Sequence, residues 1–302
     1  MRFVTVSPSR LNFCQIVREK SKIDANLVED VCLGNVLAPG QGYVARSSVL
    51  AAGFPISTAA SVTNRFCSSG LLALQNIANQ IIAGSIEVGI AVGAESMSST
   101  PDDGAPALSS KITNHPIASQ NTQPMGQTSE NVAGQFSVSR ESMDRFAANS
   151  FQKAEKAQKA GWFDDEIVPI TVQVKDPKTG EVQEQTVSRD DGPRYGTTAE
   201  SLGKIRAAFP QWAPSATTGG NASQITDGAA AVLLMKRSKA IELGQPIVAK
   251  FCGATVVGLE PRIMGIGPSY AIPKVLSKAG LSIADVDVFE INEAFASMVC
   301  IL

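Results

Sequence analysis

Residues 61–84 read SVTNRFCSSGLLALQNIANQIIAG, and how this stretch is read decides the fold. The residues just before it, ISTAASVT (56–63), are small and β-branched, which predicts a strand buried on both faces. After Cys67 the apolar positions Leu71, Leu74, Ala78 and Ile81 recur at helical spacing, and Gly84 supplies a stop. EVGIAVGAES (87–96) is a second apolar run bounded by turn residues. Strand, helix and strand in this order form a βαβ unit, so the sequence predicts an α/β fold with a parallel sheet. Cys67 then stands between a strand end and a helix start, where unpaired backbone N–H groups point outward and the helix dipole favours a thiolate. The same N–H groups suit an oxyanion formed when sulfur attacks a thioester or ketone carbon. Ser68, Ser69 and Gly70 are small enough to admit an acyl chain. The competing reading is an inert interior cysteine.

Working outward, LVEDVCLGNVL (27–37) reads as a helix end running into a strand, broken by PGQGY, and ARSSVLAAG as a short helix ended by Gly53. Residues 98–131 are rich in Ser, Thr, Asn, Gln and Pro and read as irregular surface structure. Ser139 is placed to cap a helix with Glu141 in its first turn, an apolar face beginning at Met143, Phe146 and Ala147, and Gly161 as its end. ITVQVKDPKTGEVQEQTVS (170–188) has period-2 valines around a Pro-Lys-Thr-Gly turn, the pattern of a hairpin. The α/β pattern resumes at TTGGNASQITDGAAAVLLM (217–235). A strand is expected in IVAKFCGATVVG (247–258), and then a helix with Pro268 in its first turn and Gly280 as its stop. VDVFEINEAFASM (286–298) again reads as strand, turn and helix start, as if a second half repeated the first.

The 302 residues carry a formal charge of −2, with 44% hydrophobic and 18% charged residues, enough apolar material for a substantial core. Nothing in this balance favours a nucleic-acid or anionic-membrane partner. No run of 18 apolar residues is present to span a bilayer. The five cysteines show no CxxC spacing, which argues against zinc and against a disulfide framework and favours a reducing compartment. Arg2, Arg10 and Arg18 precede or flank the first acid, Glu19; this is faintly like a transit peptide, and an altered or shortened N-terminus explains it equally well.

VTNRFCSSGLLAL followed by GAESMS closely resembles the thiolases, above all the peroxisomal type of 3-ketoacyl-CoA thiolase. QPMGQTSENVA, SRESMDRFAANSFQKA, TTGGNASQITDGAAA, MGIGPSYAIP and VFEINEAFAS match in the family's order, from about residue 25 to residue 298. The resemblance implies the thiolase fold, two similar βαβαβαββ halves in layered α/β/α/β/α arrangement, with the second half incomplete here. It divides the chain into residues 1–97 (first half, first part), 98–215 (an inserted loop domain), 216–245 (first half, closing part) and 246–302 (second half). It implies a homodimer and transfer of an acyl group to coenzyme A through a Cys67 thioester, with release of acetyl-CoA in fatty-acid β-oxidation. Coenzyme A enters as co-substrate; no permanent cofactor or metal is implied.

By the same resemblance Asn292 in NEAF corresponds to the asparagine that holds a water in an oxyanion hole, and Phe295 to the aromatic beside the pantetheine arm. Met125 and Met264 correspond to tunnel methionines, Ser223 to a serine near the pantetheine amide, and Arg194 to an arginine beside the CoA nucleotide. Each has a plainer reading: methionines as core fillers, Asn292 as a helix cap, Phe295 as a core aromatic, Arg194 as a solvated charge. His115, the single histidine, reads as a loop residue. The family's GHP histidine and CxG cysteine, which lie downstream of NEAF, are not found in these 302 residues. The expectation is therefore a shortened thiolase with impaired acid–base chemistry. The alternative is an inactive thiolase-like subunit that binds coenzyme A or pairs with an intact thiolase. The implied compartment is the peroxisome, with mitochondrion or cytosol as alternatives.

Overall fold

The computed structural model describes residues 17, 20–100, 104–175 and 181–301. Arg2, Cys14, Arg18 and the Pro-Lys-Thr-Gly turn expected at 177–180 lie outside them. In chain order the elements are β1 (Asp30–Gly34), α1 (Gln41–Ala51), β2 (Ala59–Thr63), α2 (Ser69–Ile82), β3 (Val88–Ser96), α3 (Ser110–Thr113), α4 (Met125–Gln135) and α5 (Arg140–Lys159). They continue as β4 (Ile170–Lys175), β5 (Val182–Val187), α6 (Ala199–Gly203), β6 (Asp227–Met235), α7 (Arg237–Glu242), α8 (Gly267–Ala279) and α9 (Ala296–Val299), with a 3-10 turn at Pro261–Ile266. The contacts gather the chain into two compact units. One comprises residues 1–102, 162–191 and 225–251; the other comprises 103–161, 192–224 and 252–302. The segment 98–215 contributes to both, its hairpin falling in the first.

The first unit is built on a four-stranded sheet of order β2-β1-β3-β6. β1 pairs parallel with both β2 and β3, as the βαβ pattern requires, and β6 closes the sheet antiparallel to β3. Every residue of β1 is buried, because both its faces are covered. Val31 and Leu33 meet Ala45 and Val49 of α1 together with Val88, Ile90 and Val92 of β3, while Cys32 and Ala91 meet Ala73, Leu74 and Ile77 of α2. Alternation along each strand thus feeds two apolar layers. Full burial of Ile77 and Ile90 contributes about 1.5–3 kcal/mol apiece. Burial also pushes the Cys32 thiol above its ordinary pKa. Gly53 and Gly84 take the left-handed backbone just beyond α1 and α2, as their positions in the sequence suggest.

β2 departs from expectation. It is the sheet's edge, and none of its five residues is buried. Ala60 and Val62 pack partly against the α1-side core, and the opposite face is left uncovered. A small, β-branched composition fits an edge strand as well as a central one, so composition alone does not separate them.

The second unit is mainly helical. Ser139 caps α5 as expected, its Oγ accepting from the Ser142 N–H at 3.2 Å, with Glu141 in the first turn and Lys156 and Lys159 in the last. Met143 is fully buried with Ala133, Ala216 and Ala296. Residues 125–131, expected as irregular surface, instead lie in the helix α4, in which Gly126, Thr128, Ser129, Glu130, Val132 and Ala133 are buried. Its buried polar groups are satisfied internally. Glu130 accepts the N–H groups of Ala216 (3.0 Å) and Thr217 (2.8 Å), and Ser129 Oγ lies 2.8 Å from both Thr217 Oγ1 and Ser297 Oγ. Hydropathy cannot register a helix whose inner face is polar and hydrogen-bonded.

Two further expectations fail. Neither 247–258 nor 286–291 forms a strand. Each is rich in β-branched residues, yet among the described residues neither finds a neighbouring strand with which to exchange ladder hydrogen bonds, and propensity alone does not hold a strand. The helix predicted between them does form: α8 has Pro268 in its first turn and ends at Gly280, which is left-handed at φ 69°.

Candidate active site

Cys67 is exposed at the junction of β2 and α2. Its loop is set by its neighbours' side chains. Asn64 Oδ1 accepts from the Phe66 N–H at 2.9 Å, an Asx turn that reverses the chain as it leaves β2. Ser68 Oγ donates to the Arg65 carbonyl at 2.9 Å. Ser69 Oγ donates to the Phe66 carbonyl at 2.6 Å and accepts from the Arg65 N–H at 2.8 Å. Ser68, the N-cap of α2, therefore makes no side-chain capping bond, and its hydroxyl is turned back into the loop. The first turn of this 14-residue helix begins two residues beyond Cys67, so the positive end of its dipole lies toward the loop that carries the thiol.

The approach of α2 to the sheet depends on Gly34 at the end of β1 and on Gly93, its register partner within β3. A Cβ on Gly34 would fall 2.4 Å from the Ser69 carbonyl carbon and 2.6 Å from the Gly70 nitrogen. One on Gly93 would fall 3.2 Å from the Gly70 Cα. Both glycines lie directly under the turn that carries Cys67. Beyond β1, the Glu95 carboxylate accepts from the Val36 N–H at 2.9 Å and from Asn35 Nδ2 at 3.1 Å, which ties the following loop to β3. Gly34, Asn64 and Glu95 went unnoticed in the sequence, and Ser69 was read there only as a small residue beside the cysteine. The available signals were the asparagine three residues before the cysteine, the serine two after it and the acid in GAES.

The remaining sequence-derived residues all belong to the second unit. There the loops GNAS and NEAF are joined backbone to backbone: the Ser223 N–H donates to the Ala294 carbonyl (2.8 Å) and the Ala296 N–H to the Asn221 carbonyl (2.9 Å). Asn221 is buried and held on three sides. Its Oδ1 accepts from the Thr218 N–H at 2.8 Å, and its Nδ2 donates to Asp144 Oδ1 at 2.9 Å and to the Ala216 carbonyl at 3.1 Å. Asp144 is in turn paired with Arg140 at 2.7 Å. This frame brings Ser223 and Asn292 to one cavity of about 280 Å³, walled by Phe146, Ser150 and Phe151 of α5 and by Glu293. Ser150 Oγ donates to Glu293 Oε2 at 2.5 Å, fixing the NEAF loop to α5. Phe295 is half-buried beside this cavity, paired through its backbone with Ala222.

Arg194 is exposed two residues beyond Gly192, a residue of the cavity wall, and its guanidinium donates to the Gly192 carbonyl at 3.3 Å. Met125 opens α4 and is 40% exposed, so it is not a core filler; Gly126 beside it lies against the Phe209 ring. Met264 is half-buried in the 3-10 turn that packs on α4 through Ile263, Ile266 and Val132. His115 is exposed, and its Nδ1 accepts the N–H groups of Ile117 (3.2 Å) and Ala118 (3.1 Å), the bonding of a loop residue. The structure therefore gathers Ser223, Asn292 and Phe295, ties Arg194 to the cavity wall at Gly192, and places Met125 and Met264 on adjoining elements.

Two family signatures match the chain in succession. The signature described as "Thiolase, N-terminal domain" matches residues 12–238, and "Thiolase, C-terminal domain" matches residues 245–302. The chain is 53% identical to the peroxisomal 3-ketoacyl-CoA thiolase of Yarrowia lipolytica over 282 residues, covering 92% of this chain and 67% of that one. It is 50% identical to the human peroxisomal 3-ketoacyl-CoA thiolase over 270 residues, covering 89% and 63%. Among solved structures, the dimeric peroxisomal thiolase of Saccharomyces cerevisiae superposes with a TM-score of 0.88 at 45% identity, over 97% of this chain and 74% of that one. This chain thus spans about two thirds of the length of the curated relatives it matches. The chain belongs to the thiolase family, with the thiolase fold and with peroxisomal 3-ketoacyl-CoA thiolases among its relatives at about 50% identity.

Proposed function

We propose that the protein is a 3-ketoacyl-CoA thiolase of peroxisomal fatty-acid β-oxidation in which Cys67 carries the acyl group. The observation that bears most weight is the exposed Cys67 thiol at the uncapped start of α2. The Cys67 thiolate attacks C3 of the 3-ketoacyl-CoA, and the C2–C3 bond breaks with its electron pair passing to C2. C2 takes up a proton and leaves as acetyl-CoA, and the shortened acyl group stays on Sγ as a thioester. The thiolate of a second coenzyme A attacks that thioester and regenerates Cys67, so one difficult carbon–carbon cleavage is split into two acyl transfers. Asn292 serves the oxyanion, while Ser223, Phe295, Met125, Met264 and Arg194 serve the pantetheine, acyl and nucleotide parts of the substrate. The cavity shared by Ser223 and Asn292 supports this reading for those two.

We also assign the assembly to a homodimer. The yeast relative is dimeric by its description, and β2 presents an open edge on this chain. Intact-mass measurement of the 302-residue protein with 3-ketooctanoyl-CoA tests the chemistry. A hexanoyl adduct that vanishes in Cys67→Ala is expected. Saturable coenzyme A binding with no adduct would transfer support to a non-catalytic thiolase-like subunit.

A further inference from the structure

We propose that Asn64 is the positioning residue for Cys67 in thioester formation, acting through the backbone of Phe66; the proposal rests on the reading of Cys67 as the acyl acceptor. Phe66 immediately precedes the nucleophile and has φ 48°, a left-handed backbone that a bulky residue adopts only when its surroundings hold it there. Asn64 supplies that hold. Its Oδ1 accepts from the Phe66 N–H at 2.9 Å, while its Nδ2 donates at 3.2 Å to the Val36 carbonyl in the loop beyond β1. Val36 is itself fixed, since its N–H donates to Glu95 at 2.9 Å and its carbonyl accepts from Gln41 Nε2 at 3.0 Å. On the far side of the residue, Ser69 Oγ donates to the Phe66 carbonyl at 2.6 Å.

Both peptide groups of Phe66 are thereby anchored, one through Asn64 to the end of the sheet and the other to the first residue of α2. The direction in which the chain leaves Phe66, and with it the site of the Cys67 sulfur, follows from these two anchors. The two polar atoms of Asn64 bond backbone groups of Phe66 and Val36, so its effect reaches the sulfur through the loop.

The test compares Asn64→Ala and Asn64→Asp with the parent 302-residue protein. It measures the single-turnover rate of Cys67 acylation against 3-ketooctanoyl-CoA concentration, and amide hydrogen exchange over residues 64–69. Loss of the clamp misplaces the sulfur without touching the substrate site. Asn64→Ala is therefore expected to slow acylation at saturation by about 10- to 100-fold, with the half-saturating concentration within about twofold of the parent. Exchange at Phe66 is expected to quicken. Asn64→Asp keeps the acceptor for the Phe66 N–H but loses the Nδ2 donor to the Val36 carbonyl, and should recover part of the lost rate, about threefold over Asn64→Ala. A residue of merely structural importance would lower thermal stability or shift half-saturation and would gain nothing from the aspartate. Acylation by Asn64→Ala within twofold of the parent overturns the proposal, as does unchanged exchange at Phe66 or an Asn64→Asp no faster than Asn64→Ala. A parent protein that takes up no acyl group refutes the thiolase reading and the acylation role with it; faster exchange in Asn64→Ala then separately establishes the clamp.

Discussion

At the scale of single residues, the two best-placed cysteines differ by environment. Cys67 is exposed on a polar loop, whereas Cys32 lies in the apolar layer between β1 and α2. Burial is the largest influence on Cys32 and raises its thiol pKa, with lesser opposing hydrogen bonds from Ser61 and Asn76. A thiol harder to ionise folded than unfolded withdraws stability as pH climbs past its unfolded value, and the contribution is intact below that value. Iodoacetamide under native conditions at pH 7–8 is therefore expected to alkylate Cys67 and spare Cys32, which should react only after unfolding; peptide mapping distinguishes them. Native alkylation of Cys32 at a rate like that of Cys67 would contradict the burial argument. Glu130 offers a stability test. Truncation to Ala leaves the Ala216 and Thr217 N–H groups buried without their acceptor, which should cost about 3 kcal/mol. Trp162 belongs to the first unit and Trp212 to the second, so urea unfolding followed by Trp212 fluorescence in a Trp162→Phe background reads the loss where it occurs.

At the scale of elements, the seat of α2 on the sheet is set by glycine. Gly34→Ala drives a methyl into the backbone of Ser69 and Gly70, which cannot yield without moving the Cys67 loop. Overpacking of this kind should destabilise by about 1–3 kcal/mol and slow acylation as well. Gly42, inside α1 with nothing near its absent Cβ, is the control: Gly42→Ala should stabilise by about 0.5–1 kcal/mol with acylation unchanged. Equal stability changes of one sign at both glycines, measured by thermal unfolding, would show that the close approach at Gly34 is unimportant.

At the scale of the whole molecule, the open edge of β2 bears on assembly. The Ala59 N–H donates to the Glu29 carbonyl at 2.8 Å, and the Thr63 carbonyl accepts from the Asn35 N–H at 3.2 Å, so these residues face β1. In a parallel ladder the alternate residues, Ala60 and Val62, turn their N–H and C=O groups to the free edge. Such an edge invites pairing with a second chain. Ala60→Pro removes one edge donor while leaving the β1 ladder in place, and is expected to shift the protein from dimer to monomer in sedimentation velocity. A dimer unaffected by this change would place the interface elsewhere. Among the described residues no helix is long and apolar enough to cross a membrane.

The sequence by itself determined the features that depend on near neighbours along the chain. These are the βαβ order around Cys67, the helix α5 with its Ser139 cap, the hairpin strands β4 and β5, the ends of α1, α2 and α8 at their glycines, and through ordered motifs the family. Periodicity, capping and turn chemistry act within a few residues, so a linear reading captures them. Only the tertiary structure decided that β2 is an edge, that α4 buries a polar face, that 247–258 and 286–291 stay out of any sheet, and that Gly34 and Asn64 hold the Cys67 loop. Each of these turns on a partner distant in sequence. Glu130 finds the backbone at 216–217, Gly34 finds Ser69, Asn64 finds Val36, and a strand-forming segment is a strand only where another lies 4.7–4.9 Å away to share its hydrogen bonds, about one ladder spacing.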